Sequence, residues 1–296
     1  MCATRIAAAT DRGPRDNLED AFAASTLFLP FREGGQEITT CLGLDGVGGQ
    51  RHGEVASAHG SDCIISSIMA SFALARPSDD DLFVPDRVLS VIEFSLECAN
   101  ESVLQQIKLN PKLEGMSTTA VCAVIAGGKL FVGWVGDSAC FVCNHNQIRK
   151  ITHDHSEVQR LIDAGLLSEK NAKSHPLSHV ITRFIGQPRG FCPETNTCRL
   201  FDGDIVLICT DGLMDVLTDK EILEHVQLFQ EGRFSFDELP KRLIRRALEA
   251  GTRDNVTVLC CEYHAEPQSF GRTLTGAYPA AAAKAIQDFH KEAINA

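Results

Sequence analysis

A basic excess is missing from this chain. It has 28 lysines and arginines against 39 aspartates and glutamates, a formal charge of −11. A surface that holds a nucleic-acid backbone needs the opposite balance, so no nucleic-acid partner is expected. No apolar run approaches the ~20 residues of a membrane helix, and no membrane partner is expected. The opening Met1-Cys2-Ala3-Thr4-Arg5 has no signal-peptide core, which makes a cytoplasmic protein the expectation. Between residue 1 and about residue 263 there is no linker, no low-complexity tract and no solenoid-type repeat. A disulfide framework is also missing despite 12 cysteines. Most of them, such as Cys41, Cys122, Cys209, Cys260 and Cys261, sit inside apolar runs and read as small buried hydrophobes in a reducing compartment. Cys140 and Cys143 form a lone CxxC in a β-like run. Residues three apart on a strand point to opposite faces, which makes a poor chelate.

What is present is enough apolar content, 44% of 296 residues, for a sizeable core in one large domain or two small ones. Residues 119–125 and 129–135 flank Gly127-Gly128 and predict a hairpin. Further strands are expected at 139–143, 148–151, 205–209 and 256–263. Helices are expected at 53–75, at 85–107 with an apolar stripe of Val88, Leu89, Ile92, Phe94, Leu96 and Ala99, at 217–229 behind the capping signal Thr218…Glu221, and at 236–250 before Gly251. Strand clusters alternating with helix pairs suggest an α+β layered domain. Residues 264–296 differ. They carry breakers at Pro267, Gly271, Gly276 and Pro279, then a stretch at 280–294 with helical spacing that reads as a docked or surface helix.

The chemistry is concentrated at four acidic points: Glu19-Asp20, Asp45-Gly46, Asp211-Gly212 and Asp254-Asn255. Each lies beside a strand-like or turn-like segment, and together they suggest one shared site for hard cations. Carboxylates, carbonyls and water suit Mg²⁺ or Mn²⁺ rather than softer metals. Taken singly, an Asp-Gly pair is a common turn former. Arg15 reads equally as a solvated charge, and Asp137 as a cap on the Gly136 turn. Asp202 and Asp204 read as ordinary hairpin acids.

The ordered series Arg15-Asp-Asn-Leu-Glu19-Asp20, Asp45-Gly-Val-Gly-Gly49, Gly115-Met-Ser-Thr-Thr119, Val135-Gly-Asp137-Ser138, Thr152-His-Asp-His-Ser156, Val180-Ile-Thr-Arg183, Cys209-Thr-Asp211-Gly-Leu213 and Arg253-Asp254-Asn255-Val-Thr257 resembles the PPM/PP2C family of metal-dependent protein Ser/Thr phosphatases, its bacterial branch in particular. The resemblance covers residues 5 to about 263. It implies an αββα sandwich of two packed antiparallel sheets flanked by helix pairs. The catalytic domain would be residues 1–263, with 264–296 a C-terminal extension. The implied reaction is hydrolysis of phosphoserine or phosphothreonine by a metal-bound water or hydroxide at a binuclear Mn²⁺ or Mg²⁺ centre, in opposition to a Ser/Thr kinase. In that scheme Asp45 bridges two ions and the Gly46 carbonyl binds one of them. Asp211 and Asp254 complete the shell of the other. Glu19 reaches the Gly46-bound ion, Asp20 holds metal-bound waters, and Asp137 with Asp211 holds a third, weaker ion. Arg15 grips the substrate phosphate, a task that suits a guanidinium fork.

Val47 departs from the histidine that follows the bridging Asp-Gly in many eukaryotic relatives, and an apolar side chain donates no proton. His153 and His155 read as structural, and His52 as a surface or helix-start residue. Residues 164–189 resemble the bacterial flap, where Lys170, Lys173, His175 and Arg189 would meet the acidic surface of a phosphoprotein. A monomer is expected. Two competing readings remain: a non-catalytic phosphoprotein-binding module, and a small-molecule phosphoesterase.

Overall fold

Gly127 and Gly128 both adopt positive φ (56° and 76°) and join β6 (Ala120–Ala126) to β7 (Lys129–Val135), the tight hairpin expected of a Gly-Gly turn. This hairpin is the middle of a five-stranded antiparallel sheet. Its remaining strands are β2 (Ala21–Leu29), β3 (Gln36–Leu44) and β10 (Glu194–Arg199), in the order β10-β7-β6-β3-β2. A second antiparallel sheet has the order β1-β12-β11-β8-β9. It is built from β1 (Cys2–Asp11), β8 (Ala139–Cys143), β9 (Ile148–Lys150), β11 (Ile205–Cys209) and β12 (Val256–Ala265). A short ribbon pairs β4 (Gly46–Val47) with β5 (Ser117–Thr118). The computed structural model describes residues 2–29, 36–47, 52–74, 84–173 and 175–265. Gly48, Gly49 and the helical stretch expected at 280–294 lie outside them.

The two sheets stack face to face, and alternation along the strands divides the side chains between three apolar layers. Val121, Ala123, Ile125, Val132, Cys140, Ile208, Leu259 and Cys261 fill the space between the sheets. Cys122, Val124 and Phe131 face the other way, against α1 (Gly53–Ala73) and α2 (Pro85–Leu109). Phe141, Cys143 and Leu207 face α6 (Asp219–Gln230) and α7 (Leu239–Glu249) on the far side. Cys140 and Cys143 thus belong to different layers, as their spacing on one strand requires. The architecture is the α+β, αββα sandwich. The short helices α3 (Glu157–Asp163), α4 (Glu169–Ala172) and α5 (Asp211–Met214) complete it.

Local expectations hold where chemistry is local. Thr218 and Glu221 form a reciprocal capping box at the start of α6. Gly251, with φ of 85°, follows α7, whose lead-in at Phe236–Glu238 is a single 3₁₀ turn. Asp204 accepts a bond from Phe201 N, and Asp202 accepts one from Ala265 N, so both are turn acids. Phe94 is a correction. Val88, Ile92, Leu96 and Ala99 are fully buried, but Phe94 is 56% exposed, because the steps from Ile92 to Leu96 and Ala99 already define the buried stripe and 94 lies off it. Among the described residues no helix is long and apolar enough to cross a membrane.

Candidate active site

The chain leaves β3 at Asp45, and its next turn is fastened from three directions. Asp45 N donates to Thr119 Oγ1 (3.0 Å), and its carbonyl accepts from Thr119 N and Thr118 Oγ1 (2.8 Å each). Gly46 N donates to the Glu19 carbonyl (3.1 Å), which also accepts from Ser57 Oγ. Gly46 and Gly212 do not have positive φ. They are glycines because other backbone passes too close. A Cβ on Gly46 would stand 2.4 Å from Gly53 O and 2.5 Å from Glu19 O, and one on Gly212 would stand 2.0 Å from Asn255 O. A Cβ on Gly53 would lie 2.7 Å from both Glu19 Oε2 and Gly46 O. A side-chain and a main-chain oxygen therefore converge on one small hollow, in which even a methyl group has no room.

Behind this turn the structure gathers four aspartates. Asp45 and Asp211, the latter at the start of α5, bring their carboxyl groups together. Burial pushes the Asp45 carboxyl well above the usual carboxylate range, and the charges of Asp211, Asp20 and Asp137 push it further. Asp211 is raised in the same way by burial and then by Asp137, Asp215 and Asp254. Asp20 is raised to about 6 by burial, against hydrogen bonds from Thr257 and Thr210, the latter at 2.9 Å. Asp137 is raised to about 6 by burial, with the Asp154 charge next. Glu19 is raised by burial and then by Glu54.

Two buried oxygens in this cluster, Asp20 Oδ1 and Asp211 Oδ1, have no hydrogen-bond partner. A buried carboxylate oxygen without a donor is costly. Mutual repulsion plus unpartnered oxygens is what hard divalent cations relieve, so these residues fit Mn²⁺ or Mg²⁺. Among the described residues no three Asp, Glu, His or Cys side chains close on one point.

Asp254 stands at the rim. Its Oδ1 accepts from Asn255 N (2.8 Å), and its Oδ2 pairs with Arg15 NH2 at 2.5 Å. Arg15 Nε also donates to Arg253 O (2.9 Å). For Asp254 to serve an ion and Arg15 a phosphate, this pair has to part. It is half exposed on the arginine side, and such pairs contribute only about 0–1 kcal/mol, so parting it is easy.

Three contributors are given no role from the sequence. Asn255, 3% exposed, accepts from Glu19 N (2.7 Å) and donates to Arg12 O (2.8 Å) and Asn17 O (3.0 Å), so one amide stitches the Arg15–Asp20 loop to the Asp254 turn. Its place directly after Asp254 is the available signal. Glu54, in the first turn of α1, has a buried unpartnered Oε2 and bears on Glu19. Asp215 follows α5 and is raised by burial beside Asp211.

The histidines are structural. His153 pairs with Asp163 (2.9 Å), Asp154 pairs with Lys150 (2.6 Å), and His155 faces Gly136 and Glu194. His52 starts α1, its carbonyl accepting from Val55 and Ala56 N. Lys173 is a second correction. Its ammonium turns inward onto the carbonyls of Met214 (2.5 Å), Asp215 (3.3 Å) and Leu217 (3.5 Å), and so holds the exit of α5 instead of facing a partner. The Met214 carbonyl ends the four-residue α5 and needs a donor. A cavity of about 400 Å³ lies beside it, with Asp137, Asp211 and Asp215 in its wall.

A sequence profile described as Protein phosphatase 2C matches residues 12–256. The chain belongs to the protein phosphatase 2C family. Among curated relatives, the serine/threonine protein phosphatase PstP of Mycobacterium tuberculosis is 32% identical over 259 residues. The match takes in 87% of this chain and 45% of PstP, so the chain spans about half the length of that relative. Protein phosphatase PhpP of Streptococcus pneumoniae is 28% identical over 220 residues, 74% of this chain and 84% of PhpP. Among solved structures, the catalytic domain of PstP in complex with two manganese ions aligns with a TM-score of 0.70 at 29% identity, covering 90% of this chain and 100% of that domain. The stacked sheets and flanking helices described above are this family's fold.

Proposed function

We propose that the chain is a metal-dependent protein phosphatase that hydrolyses phosphoserine and phosphothreonine esters. The observation that carries the reading is the cluster of Asp20, Asp45, Asp137 and Asp211, held in mutual repulsion with two buried oxygens unpartnered. Asp45, Glu19, the Gly46 carbonyl, Asp211 and Asp254 would hold two Mn²⁺ or Mg²⁺ ions, with Asp45 serving both. Asp137 with Asp211 would serve a third. Such ions supply a nucleophilic water and neutralise charge on the phosphoryl oxygens.

The protein's own groups do the rest. Arg15, fixed through Nε to the Arg253 carbonyl, would offer its two terminal nitrogens to phosphoryl oxygens once NH2 parts from Asp254. Asp20, oriented by Thr210, accepts a hydrogen bond from the attacking water and keeps its lone pair aimed at phosphorus. Val47 has no proton to give the leaving alcohol, which leaves a metal-bound water, His52 or solvent to supply it. In this reading the phosphoprotein substrate, an opposing Ser/Thr kinase and this phosphatase share the cytoplasm. Residues 1–263 form the catalytic unit in this reading.

The test is phosphate release from phosphoserine, phosphothreonine and phosphotyrosine peptides with Mn²⁺ or Mg²⁺, with and without chelator. Release from the first two, abolished by chelator, is expected. Binding of the peptides without turnover in either metal would establish the non-catalytic module instead, and turnover of small phosphoesters alone would establish a phosphoesterase.

A further inference from the structure

His155 lies outside the site assigned above, yet it is 4% exposed and bonded through every polar atom it has. Its backbone N–H donates to the Gly136 carbonyl (2.9 Å), and its Nδ1 accepts from Gly136 N–H (3.2 Å). Residue 136 carries a φ of 103°, and a Cβ there would stand 2.5 Å from Thr119 Cγ2, so the turn that presents Asp137 has little slack. The bond from Gly136 fixes the tautomer: Nδ1 offers its lone pair, so the ring proton sits on Nε2. Nε2 lies 3.3 Å from Glu194 Oε1 and donates to it. Arg183 NH1 donates to the same oxygen (2.7 Å) and stands 3.1 Å from Nε2 only because both donors share one acceptor. Glu194 opens β10 directly opposite Trp134, whose indole stacks on the His155 ring at 6.1 Å.

The other side of His155 is the base of the segment that leaves and re-enters the sandwich through residues 156–183. The His155 carbonyl accepts from Thr182 N (2.7 Å), Glu157 N donates to Val180 O (2.8 Å), and Ser156 bridges Ile181. One imidazole therefore touches the turn before Asp137 with one nitrogen and the closing point of the 156–183 segment with the other.

We propose that His155 is a positioning residue that couples the seating of the 156–183 segment to the Gly136–Asp137 turn, so that Arg183, which shares the Glu194 carboxylate with His155 and is not bonded to that turn, helps to place the Asp137 carboxylate. The proposal rests on the reading of Asp137 as a cation ligand only for its effect on metal binding. The mechanical coupling stands apart from it and is measured apart from it.

The experiment is amide hydrogen exchange of the whole chain, with Mn²⁺ titrated against hydrolysis of p-nitrophenyl phosphate alongside. Arg183→Gln removes the outer donor and leaves His155 in place. It is expected to raise exchange at 156–163 and 177–183 and also at 136–138, by about tenfold, the effect of about one net hydrogen bond on a local opening equilibrium. His155→Asn keeps an acceptor near the Nδ1 position but cannot reach Glu194. It is expected to loosen the segment while 136–138 stays protected. His155→Ala is expected to loosen both and to raise the Mn²⁺ midpoint. If Arg183→Gln leaves 136–138 at the wild-type rate, the coupling is refuted, whatever the phosphatase assay shows. If the exchange pattern is as expected but no variant moves the Mn²⁺ midpoint, the coupling holds and the role given to Asp137 fails. A variant that does not fold is recognised by global loss of protection, and Arg183→Gln, at a partly exposed side chain, then decides.

Discussion

Replacing Asp45 by asparagine should make the metal-free protein more stable while abolishing its response to Mn²⁺. The two effects have one cause. At neutral pH the cluster holds carboxylates that burial and one another's charge disfavour, Asp45 at the centre. A rise from 3.8 to about 6, as for Asp20 and Asp137, corresponds to roughly 3 kcal/mol of instability for each ionised group at pH 7. The sign follows from the direction of the shift. The folded state holds these protons more tightly than the unfolded chain does, so their stabilising contribution is complete below about 3.8 and is lost as pH rises to about 6 and beyond. The neutral amide relieves part of that repulsion, and we expect a gain of about 2 kcal/mol for the metal-free protein at pH 7.5, some 4–8 °C in Tm for a domain of this size. Saturating Mn²⁺ should raise the wild type by about 3 kcal/mol per ion at 100-fold excess over Kd, and the variant hardly at all. The two melting curves therefore cross over on adding metal. Thermal melts by circular dichroism in chelator and in Mn²⁺, repeated at pH 5, where the gain should shrink, read all of this. A variant less stable than wild type without metal, yet stabilised equally by Mn²⁺, would refute the reasoning.

Gly46→Ala should cost more than about 3 kcal/mol in denaturant unfolding, because the new methyl meets two backbone carbonyls at 2.4 and 2.5 Å and neither belongs to a flexible side chain. Asn255→Ala strands Glu19 N and the carbonyls of Arg12 and Asn17. About 2–4 kcal/mol of stability should go, with phosphatase activity falling beyond what the lost folded fraction explains. Arg15→Lys keeps the charge but loses the fork. Turnover of phosphopeptides should drop about 10–100-fold in kcat/KM with the Mn²⁺ midpoint unchanged.

Sequence carries those parts of the fold whose cause lies within a few residues. The Gly127-Gly128 hairpin, the Thr218–Glu221 capping box and the opposed faces of Cys140 and Cys143 each follow from a local rule. The strand β1 does not: Cys2–Asp11 is rich in alanine, a weak strand former, and becomes a strand by pairing along its whole length with β12, at the far end of the domain. The edge strand β10 is illegible for a similar reason, since Glu194–Arg199 is largely polar and owes its strand pairing to β7. In the site, the acidic residues are legible because their type and spacing announce cation chemistry. The residues that hold them are not. Asn255, Thr118, Thr119 and Thr210 act through hydrogen bonds to groups distant in sequence, and no spacing rule assigns them that role. By sequence, Gly46 and Gly212 are turn glycines. The structure makes them close-approach glycines, which only the neighbouring backbone reveals.

The central claim is that Asp45 unites two divalent ions at one centre. Calorimetric titration of Mn²⁺ into chelator-treated protein tests it most directly. Two tight ions per wild-type chain, both lost in Asp45→Asn with the fold intact, are the expected result. A variant that binds Mn²⁺ with wild-type stoichiometry and affinity would contradict the claim.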